Sequence, residues 1–246
     1  MRHVIIIIPT LEPTARIVGL VDDLRCQGFE HIVIVDDGSD ERIFAPIFES
    51  LERRGCQVLH HGSNLGKGAA IKTGISHARA SFPLALGFIT VDGDGQHLAC
   101  DVRALAERAE QLPGALVLGT RSFSEAGVPL RSRLGNAVSS LAFKLACGVA
   151  CADTQTGLRV IPRGLADEAL SCPGERFEYE MAFLMLSSMQ GRAIEQVRIS
   201  TVYLDANKGS HFDAIHDSAR VMRMVAQMMR LRASLLATRE GACHAA

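Results

Sequence analysis

The chain has 246 residues, of which 48% are hydrophobic and 22% are charged, and its formal net charge is −1. This composition predicts a globular protein with a substantial core. A nucleic-acid-binding protein usually carries a basic excess or stripe, and this chain has neither, so we expect no nucleic-acid partner. The seven cysteines lack the paired spacing of metal ligands, which favours a reducing, cytoplasmic compartment over a disulfide framework.

Short β-branched runs alternate with helical patterns in the first half of the chain, which is typical of parallel βαβ units. The first apolar run is ended by Pro9 and is too short for a signal peptide or a membrane span. Strands are predicted at residues 3–8, 31–35, 57–60, 84–91 and 115–119. Helices are predicted at residues 14–27, 44–54, 66–80 and 101–112. The pattern predicts an α/β fold with a mostly parallel central sheet flanked by helices.

The second half of the chain is less regular. It predicts helices near residues 134–147, 165–170 and 178–190, and strands near 158–161 and 194–203. A last helix, at about 214–237, carries Val221, Val225 and Met228 at helical spacing among several arginines.

Polar residues follow three of the predicted strands, at the edge where open α/β sheets bind ligands. They are Pro9-Thr10-Leu11-Glu12, Asp36-Asp37-Gly38-Ser39 and Asp92-Gly93-Asp94-Gly95-Gln96-His97. The last of these places two carboxylates one residue apart, and such a pair can hold a hard divalent cation that shares its ligands with phosphates. A solvated Asp/Gly turn is the alternative interpretation.

The segment Asn64-Leu65-Gly66-Lys67-Gly68 precedes a predicted helix, so a lysine and two glycines lie at a positive helix end that favours phosphate. Its spacing is not that of a P-loop. Together with the three strand ends it makes four polar features at one sheet edge, and this favours a site over a chance of loop composition.

The ordered set Val35-Asp36-Asp37-Gly38-Ser39, Asn64-Leu65-Gly66-Lys67-Gly68 and Asp92-Gly93-Asp94-Gly95-Gln96-His97 resembles the signatures of family 2 glycosyltransferases with the GT-A fold. The resemblance covers about residues 3–212. Gly119-Thr120-Arg121, Asn136, Asp153-Thr154-Gln155-Thr156-Gly157-Leu158-Arg159 and Arg176-Phe177-Glu178-Tyr179-Glu180 resemble the polyprenyl-phosphate branch, which is similar to dolichol-phosphate mannosyltransferases. It implies one GT-A domain over 1–212, with a nucleotide-binding half at about 1–120 and an acceptor half at 121–212, followed by an amphipathic helix and tail over 213–246.

The resemblance also implies roles for individual residues in the transfer of a sugar, with inversion, from a UDP- or GDP-linked donor to a polyprenyl phosphate or other lipid. Mg²⁺ or Mn²⁺ would be held by Asp92, Asp94 and Gln96. The nucleotide sugar would contact Pro9, Thr10, Glu12, Asp36, Asp37, Lys67, Asp92 and Gly93. The catalytic set would be Asp94, Arg121, Asp153, Gln155 and Arg159. The acceptor phosphate would contact Arg121, Arg133, Arg159, Lys208 and Ser210, because guanidinium groups grip phosphate in a bidentate manner.

Three other functions stay open at this point. Transfer to a hydroxyl of a lipid or saccharide would need a general base, for which Glu178 or Glu180 is the candidate. A nucleotidyltransferase is disfavoured because residues 9–13 are not a glycine-rich basic loop. A non-catalytic nucleotide-sugar module is disfavoured because both carboxylates of the metal motif are present.

The resembled branch often carries carboxyl-terminal membrane helices, and no such span is predicted after Phe212. We therefore expect a cytoplasmic protein that meets a lipid acceptor peripherally, on the inner face of the membrane. The hypothesis places the last helix, and also residues 134–152, on that surface. Its arginines would be Arg220, Arg223, Arg230 and Arg232, and its apolar residues Val221, Met224, Met228 and Leu235. The competing interpretation buries the methionines against the sheet and leaves the arginines in water.

Overall fold

The structure is a computed structural model that describes residues 3–122, 130–200 and 216–243, with side chains at 3–122, 133–200 and 216–233. Its strands are β1 (Val4–Thr10), β2 (Ile32–Asp36), β3 (Gln57–His60), β4 (Gly87–Thr90), β5 (Leu116–Thr120), β6 (Arg159–Pro162) and β7 (Ile194–Arg198). Its helices are α1 (Arg16–Cys26), α2 (Glu41–Arg53), α3 (Lys67–Ser81), α4 (Ala99–Gln111), α5 (Leu130–Cys147), α6 (Ala166–Ser171), α7 (Glu178–Met189) and α8 (His216–Cys243). A short 3₁₀ turn, Arg163–Leu165, joins β6 to α6.

The seven strands form one sheet in the order β3-β2-β1-β4-β6-β5-β7. Strand β6 is antiparallel to both of its neighbours, and all other pairs are parallel. The predicted α/β fold with a mostly parallel sheet is therefore confirmed. Because β6 inserts between β4 and β5, strands from both halves of the chain are hydrogen-bonded within a single sheet.

Both faces of β1 are buried, which explains its continuous apolar sequence. Successive side chains of a strand point to opposite faces, so Ile5 and Ile7 join one core and Ile6 and Ile8 join the other. The first core includes side chains of α3, α5, α7 and α8. The second includes those of α1, α2 and α4.

Several helix and strand boundaries differ from the predictions. Helix α2 begins at Glu41 rather than at residue 44, because the side chain of Asp40 accepts a hydrogen bond from the amide of Arg42 and caps the helix. Strand β4 begins at Gly87, and the apolar residues Leu84 and Leu86 before it are exposed. The predicted last strand ends at residue 198, and its residues 201–203 lie outside the described ranges.

Helix α8 does not present the predicted apolar face to solvent. Val221, Met224, Val225 and Met228 are all buried in the core that α8 shares with α5 and α7. The prediction that Val221, Met224 and Met228 offer apolar area to a membrane is therefore wrong, because these residues pack in the protein core. The side chain of Leu235 lies outside the described ones. Among the helices of the described residues, none combines the length and apolar character that a membrane crossing requires.

Candidate active site

The carboxyl ends of β1, β2 and β4 lie side by side at one edge of the sheet. In the parallel registers Thr10 is opposite Asp36, and Ile7 is opposite Thr90. The polar segments that follow these strands therefore meet, as the sequence predicts, at the edge where ligands of open α/β sheets bind.

The carboxylate of Asp92, in the turn after β4, contacts the side chains of Lys67 and His97. Lys67 Nζ lies 2.7 Å from Asp92 Oδ1, and His97 Nε2 lies 3.4 Å from Oδ2. Burial alone would raise the pKa of Asp92, but the charge of Lys67 and the hydrogen bond with His97 outweigh burial and lower that pKa far below its usual range. Asp92 is therefore a carboxylate at neutral pH.

Gly157 packs directly against the carboxylate of Asp92. A Cβ atom added to Gly157 would lie 2.6 Å from Asp92 Cγ and closer still to both oxygens. The carbonyl of Gly157 also accepts a hydrogen bond of 2.7 Å from the hydroxyl of Thr90 at the end of β4. The loop before β6 is thereby fixed against the turn, and glycine leaves room for the carboxylate.

Asp94 and Gln96 complete the turn, and the amide of Gln96 donates a 2.9 Å hydrogen bond to Asp94 Oδ1. Burial and the nearby negative charge of Asp92 raise the pKa of Asp94. Asp92, Asp94 and Gln96 line the same cavity, and their carboxylate and amide oxygens are the donors that Mg²⁺ and Mn²⁺ prefer, so these residue types fit such an ion. Among the described residues no group of three or more His, Cys, Asp and Glu side chains has the arrangement of a metal site.

Asp36 and Asp37 are both buried and hold the loops around the site. Asp37 accepts hydrogen bonds from the amides of Leu65 and Gly66, at 2.9 and 2.7 Å, and so fixes the segment before α3. Asp36 accepts from the amide of Ser39 and contacts His60 Nδ1. Asp37 lines a cavity at this sheet edge, and Asp36 does not.

Glu12, in the loop after β1, has a φ of 50°. This left-handed conformation is uncommon for a residue other than glycine and indicates local strain. The amide of Glu12 donates a 2.7 Å hydrogen bond to the hydroxyl of Ser39, which ties the first polar segment to the second.

Two cavities adjoin at the turn after β4 and share Lys67, Asp92, Asp94 and Phe177. The larger has a volume of about 450 Å³, within the range of small-molecule sites. The residues predicted to contact the nucleotide sugar that line this cavity are Pro9, Thr10, Glu12, Asp37, Lys67, Asp92 and Gly93. The smaller has a volume of about 170 Å³ and contains Gln96, Arg121, Gln155 and Glu180. The sequence-predicted residues that line these cavities therefore lie on both sides of the Asp92–Asp94 pair.

On the side of the smaller cavity, Arg121 follows β5 and pairs with Asp153. Arg121 Nε lies 2.7 Å from Asp153 Oδ2, and the side chain of Asp153 has no exposed surface. Asp153 therefore orients the guanidinium while Arg121 and Gln155 line the cavity.

Arg159 lies in the interior, with 2% of its surface exposed. Its guanidinium donates hydrogen bonds to the carbonyls of Thr156, Glu180 and Thr154, at 2.8, 2.6 and 3.1 Å. This geometry disagrees with the prediction that Arg159 contacts the acceptor phosphate. Its charge instead satisfies backbone carbonyls of the loop that presents Gln155.

Of the remaining predicted acceptor residues, only Arg133 has a side chain that the structure describes. Arg133 is exposed on α5 and does not line either cavity. Lys208 and Ser210 lie outside the described residues.

Glu178 and Glu180 point in different directions, as their spacing predicts. Glu180 is buried in the smaller cavity with Oε1 3.1 Å from Lys67 Nζ, whereas Glu178 accepts hydrogen bonds from the amides of Glu175 and Arg176. Burial raises the pKa of Glu180, although the charge of Lys67 opposes the shift. Lys67 therefore bridges Asp92 and Glu180, a link that the sequence did not predict.

Sequence reasoning also missed the apolar and helical parts of the walls. Phe177 has its ring centroid 5.7 Å from Lys67 Nζ, and Val221 of α8 lines the smaller cavity. Phe177 lies within the motif at 176–180, which is the signal that could have identified it. Val221 has no such signal, since helical spacing does not say which cavity a buried face adjoins.

A family model described as "Glycosyl transferase family 2" matches residues 5–168. The chain belongs to glycosyl transferase family 2. It is therefore a glycosyltransferase, and the predicted enzyme class is confirmed.

The similar curated relatives include enzymes whose names specify polyprenyl-type phosphate acceptors. The UDP-N-acetylglucosamine–dolichyl-phosphate N-acetylglucosaminyltransferase of Methanococcus voltae is 26% identical over 226 residues, covering 83% of this chain and 87% of that relative. The undecaprenyl-phosphate 4-deoxy-4-formamido-L-arabinose transferase of Pseudomonas paraeruginosa is 32% identical over 143 residues, covering 57% of this chain and 40% of the relative. The predicted resemblance to the polyprenyl-phosphate branch is confirmed.

Solved structures of glucosyl-3-phosphoglycerate synthase from Mycobacterium tuberculosis share the fold. Its complex with UDP has a TM-score of 0.69 at 16% identity, covering 93% of this chain and 80% of that one. Its complex with Mn²⁺, UDP-glucose and glycerol 3-phosphate has a TM-score of 0.64 at 17% identity, with the same coverage. These likenesses confirm the predicted GT-A fold.

Proposed function

We propose that this glycosyltransferase moves a sugar from a UDP- or GDP-linked donor to a polyprenyl phosphate, with a divalent ion and with inversion at the anomeric carbon. The observation that carries the proposal is the position of Asp92 and Asp94 where two cavities adjoin. A donor in the larger cavity would place its diphosphate at these carboxylates, and its sugar would then face Arg121 and Gln155.

The donor side of the site consists of loops fixed before any ligand binds. Asp37 holds the start of α3, and Ser39 holds Glu12, so the walls of the larger cavity are preorganised. We assign the base and ribose to this cavity. Asp92, Asp94 and Gln96 would hold Mg²⁺ or Mn²⁺, which when bound neutralises charge that develops on the leaving nucleoside diphosphate.

On the acceptor side, the guanidinium of Arg121 supplies a positive charge in a fixed orientation. Arg121 is oriented by its buried partner Asp153, and a guanidinium grips a phosphate through two parallel hydrogen bonds. A phosphate acceptor is already anionic at neutral pH, so its oxygen attacks without a general base. We therefore assign the acceptor phosphate to Arg121 and the support of its loop to Arg159.

The polyprenyl acceptor is also supported by relatives whose names specify dolichyl or undecaprenyl phosphate. Such an acceptor lies in a membrane, so the proposal includes peripheral membrane contact by this chain.

The alternative acceptor is a hydroxyl, and the observation that favours it is the carboxylate of Glu180 in the smaller cavity. If Glu180 is a general base, Glu180→Gln should lower kcat by about 10²–10⁴-fold. With a phosphate acceptor the same variant should keep most of its kcat, because an anionic phosphate oxygen needs no general base.

Calorimetric titration of UDP and GDP tests the donor site. Nucleotide affinity of the wild-type protein should rise when Mn²⁺ or Mg²⁺ is added, and Asp94→Ala should lose that ion-dependent gain while keeping its melting temperature. Asp23→Ala, at an exposed position of α1, is the matched control and should behave as the wild type does. Unchanged ion-dependent affinity in Asp94→Ala would refute the assignment of the turn.

A further inference from the structure

Helix α5 carries an exposed apolar stripe on the side away from the core. Its members are Leu134, Val138, Leu141 and Leu145, which are 68%, 48%, 57% and 73% exposed. Their spacing of four, three and four residues puts them on one face of a helix with 3.6 residues per turn. Contiguous exposed apolar surface of this kind marks an interaction site more often than isolated exposed leucines do.

The opposite face of α5 holds the acceptor side of the site. Asn136 Nδ2 donates a 2.6 Å hydrogen bond to the carbonyl of Ala152, and the hydroxyl of Thr154 donates a 3.0 Å hydrogen bond to that of Ser139. Thr154 and its neighbour Gln155 line the smaller cavity. The stripe is therefore separated from the acceptor loop by about one helix diameter, roughly 10 Å.

The charges around the stripe are basic. Helix α5 contains three basic residues and no acidic ones, in a chain whose formal net charge is −1. Arg133 and Lys144 are exposed beside the stripe. Helix α8 packs against α5, and its Arg232 donates a hydrogen bond to the carbonyl of Ala146, next to Leu145.

Helix α8, which packs against α5, also exposes apolar and basic side chains. Met229 and Leu231 are 46% and 44% exposed, and Arg230 between them is also exposed. An apolar surface with a basic margin is complementary to a bilayer, in which acyl chains lie beneath anionic headgroups. A second copy of the chain is a poorer partner, because pairing two such faces would bring Arg133 and Lys144 of one copy near the same charges of the other.

We propose that the stripe of α5, with its basic margin, is the surface by which this enzyme docks on an anionic lipid membrane. The inference rests on the proposed function insofar as a membrane-embedded acceptor phosphate must be brought to Arg121. The sequence hypothesis assigned membrane contact to the last helix and to residues 134–152; the apolar face of α8 is buried, whereas the stripe of α5 is exposed. Docking there would place the acceptor loop at 152–155 about one helix diameter, roughly 10 Å, from the stripe that contacts the membrane.

Flotation of the full-length protein with phosphatidylcholine vesicles, with and without phosphatidylglycerol, tests the proposal. The wild-type protein should float with the anionic vesicles, and less at high salt. Leu141→Glu/Leu145→Glu should reduce partitioning at least about tenfold, because two leucines lose their burial in the bilayer. Leu141→Gln/Leu145→Gln should also reduce it, which separates loss of apolar contact from added negative charge.

The matched control is Ile43→Glu/Leu84→Glu, which changes two exposed apolar residues elsewhere by the same charge. This control should float nearly as the wild type does. All variants alter exposed side chains, so their melting temperatures should stay close to that of the wild type. Wild-type partitioning by the Leu141/Leu145 variants, or no flotation of the wild type, would overturn the proposal.

Two further readouts separate membrane docking from self-association and from a failure of the transfer reaction. Sedimentation that shows a wild-type dimer lost in Leu141→Gln/Leu145→Gln, without flotation, would assign the stripe to a second copy and overturn the proposal. In transfer assays the same variant should use a short water-soluble polyprenyl phosphate normally and a vesicle-embedded one poorly. If the wild type floats through the stripe but transfers to neither acceptor, the proposed function fails and the lipid-docking surface stands.

Discussion

Replacing Gly157 with alanine should disable the turn after β4 although both aspartates of that turn are kept. The backbone of Gly157 is not in the left-handed region, so alanine is allowed there. The new Cβ atom, however, would lie 2.6 Å from Asp92 Cγ and closer to both oxygens. Since carbon atoms in contact sit about 3.5 Å or more apart, the carboxylate must move by roughly 1 Å.

The cost of this movement can be divided between stability and function. Overpacking costs about 1–3 kcal/mol, which corresponds to a fall of a few degrees in melting temperature for a chain of this size. A 1 Å displacement at a reacting centre can cost about 10²-fold in rate. We therefore expect Gly157→Ala to lose at least about tenfold in ion-dependent nucleotide affinity and about 10²-fold in turnover.

Calorimetry with and without Mn²⁺ measures the first loss, and sugar-nucleotide turnover measures the second. Gly19→Ala is the control, because nothing lies within 4 Å of a Cβ atom at that position of α1. It should be neutral or stabilise the protein by about 0.5–1 kcal/mol, the usual preference for alanine over glycine in a helix. Wild-type turnover and ion-dependent affinity in Gly157→Ala would refute the placement of Asp92 at the reacting centre.

Three other substitutions test roles that the contacts assign. Arg121→Ala should destabilise the protein by about 3–5 kcal/mol in chemical denaturation, because the buried Asp153 loses its cationic partner. Adding Asp153→Asn should restore stability but not the KM for the acceptor. A restored KM would contradict a contact between Arg121 and the acceptor phosphate. Arg159→Lys should lower the melting temperature and leave the KM for the acceptor nearly unchanged, since a single ammonium group cannot donate to three carbonyls in the same geometry. A raised KM at unchanged stability would instead indicate that Arg159 contacts the acceptor. Met228→Ala should lower the free energy of unfolding by about 2–5 kcal/mol and Met229→Ala by less than about 0.5 kcal/mol, because these neighbours are 1% and 46% exposed. Equal effects would contradict the packing of α8 against α5 and α7.

The sequence predicted the elements whose signals are local. Strand β1 is a continuous apolar run ended by a polar segment, and the structure buries it on both faces. The motifs 36–39, 64–68 and 92–97 could be placed at one sheet edge because parallel strands release their chain on the same side.

The parts that could not be predicted depend on contacts between distant segments. The run at 158–161 is strand-like, but its insertion between β4 and β5 is set by pairing with residues about 40 to 75 positions away. The sequence predicted Arg159 as a phosphate ligand. In the structure it is buried and donates hydrogen bonds to three backbone carbonyls. Methionines occur on both faces of α8, so the pattern does not show which face packs against α5 and α7.

Transfer of labelled sugar to a short polyprenyl phosphate tests the central claim most directly. The purified full-length protein would be incubated with a panel of UDP- and GDP-linked sugars, with Mn²⁺ or Mg²⁺ and with chelator, and the product identified by mass spectrometry. We expect one donor to give a polyprenyl-phosphate sugar of inverted anomeric configuration, formed with the divalent ion and lost in Asp94→Ala. Transfer to a hydroxyl acceptor with none to the phosphate, or undiminished product in Asp94→Ala, would contradict this mechanism.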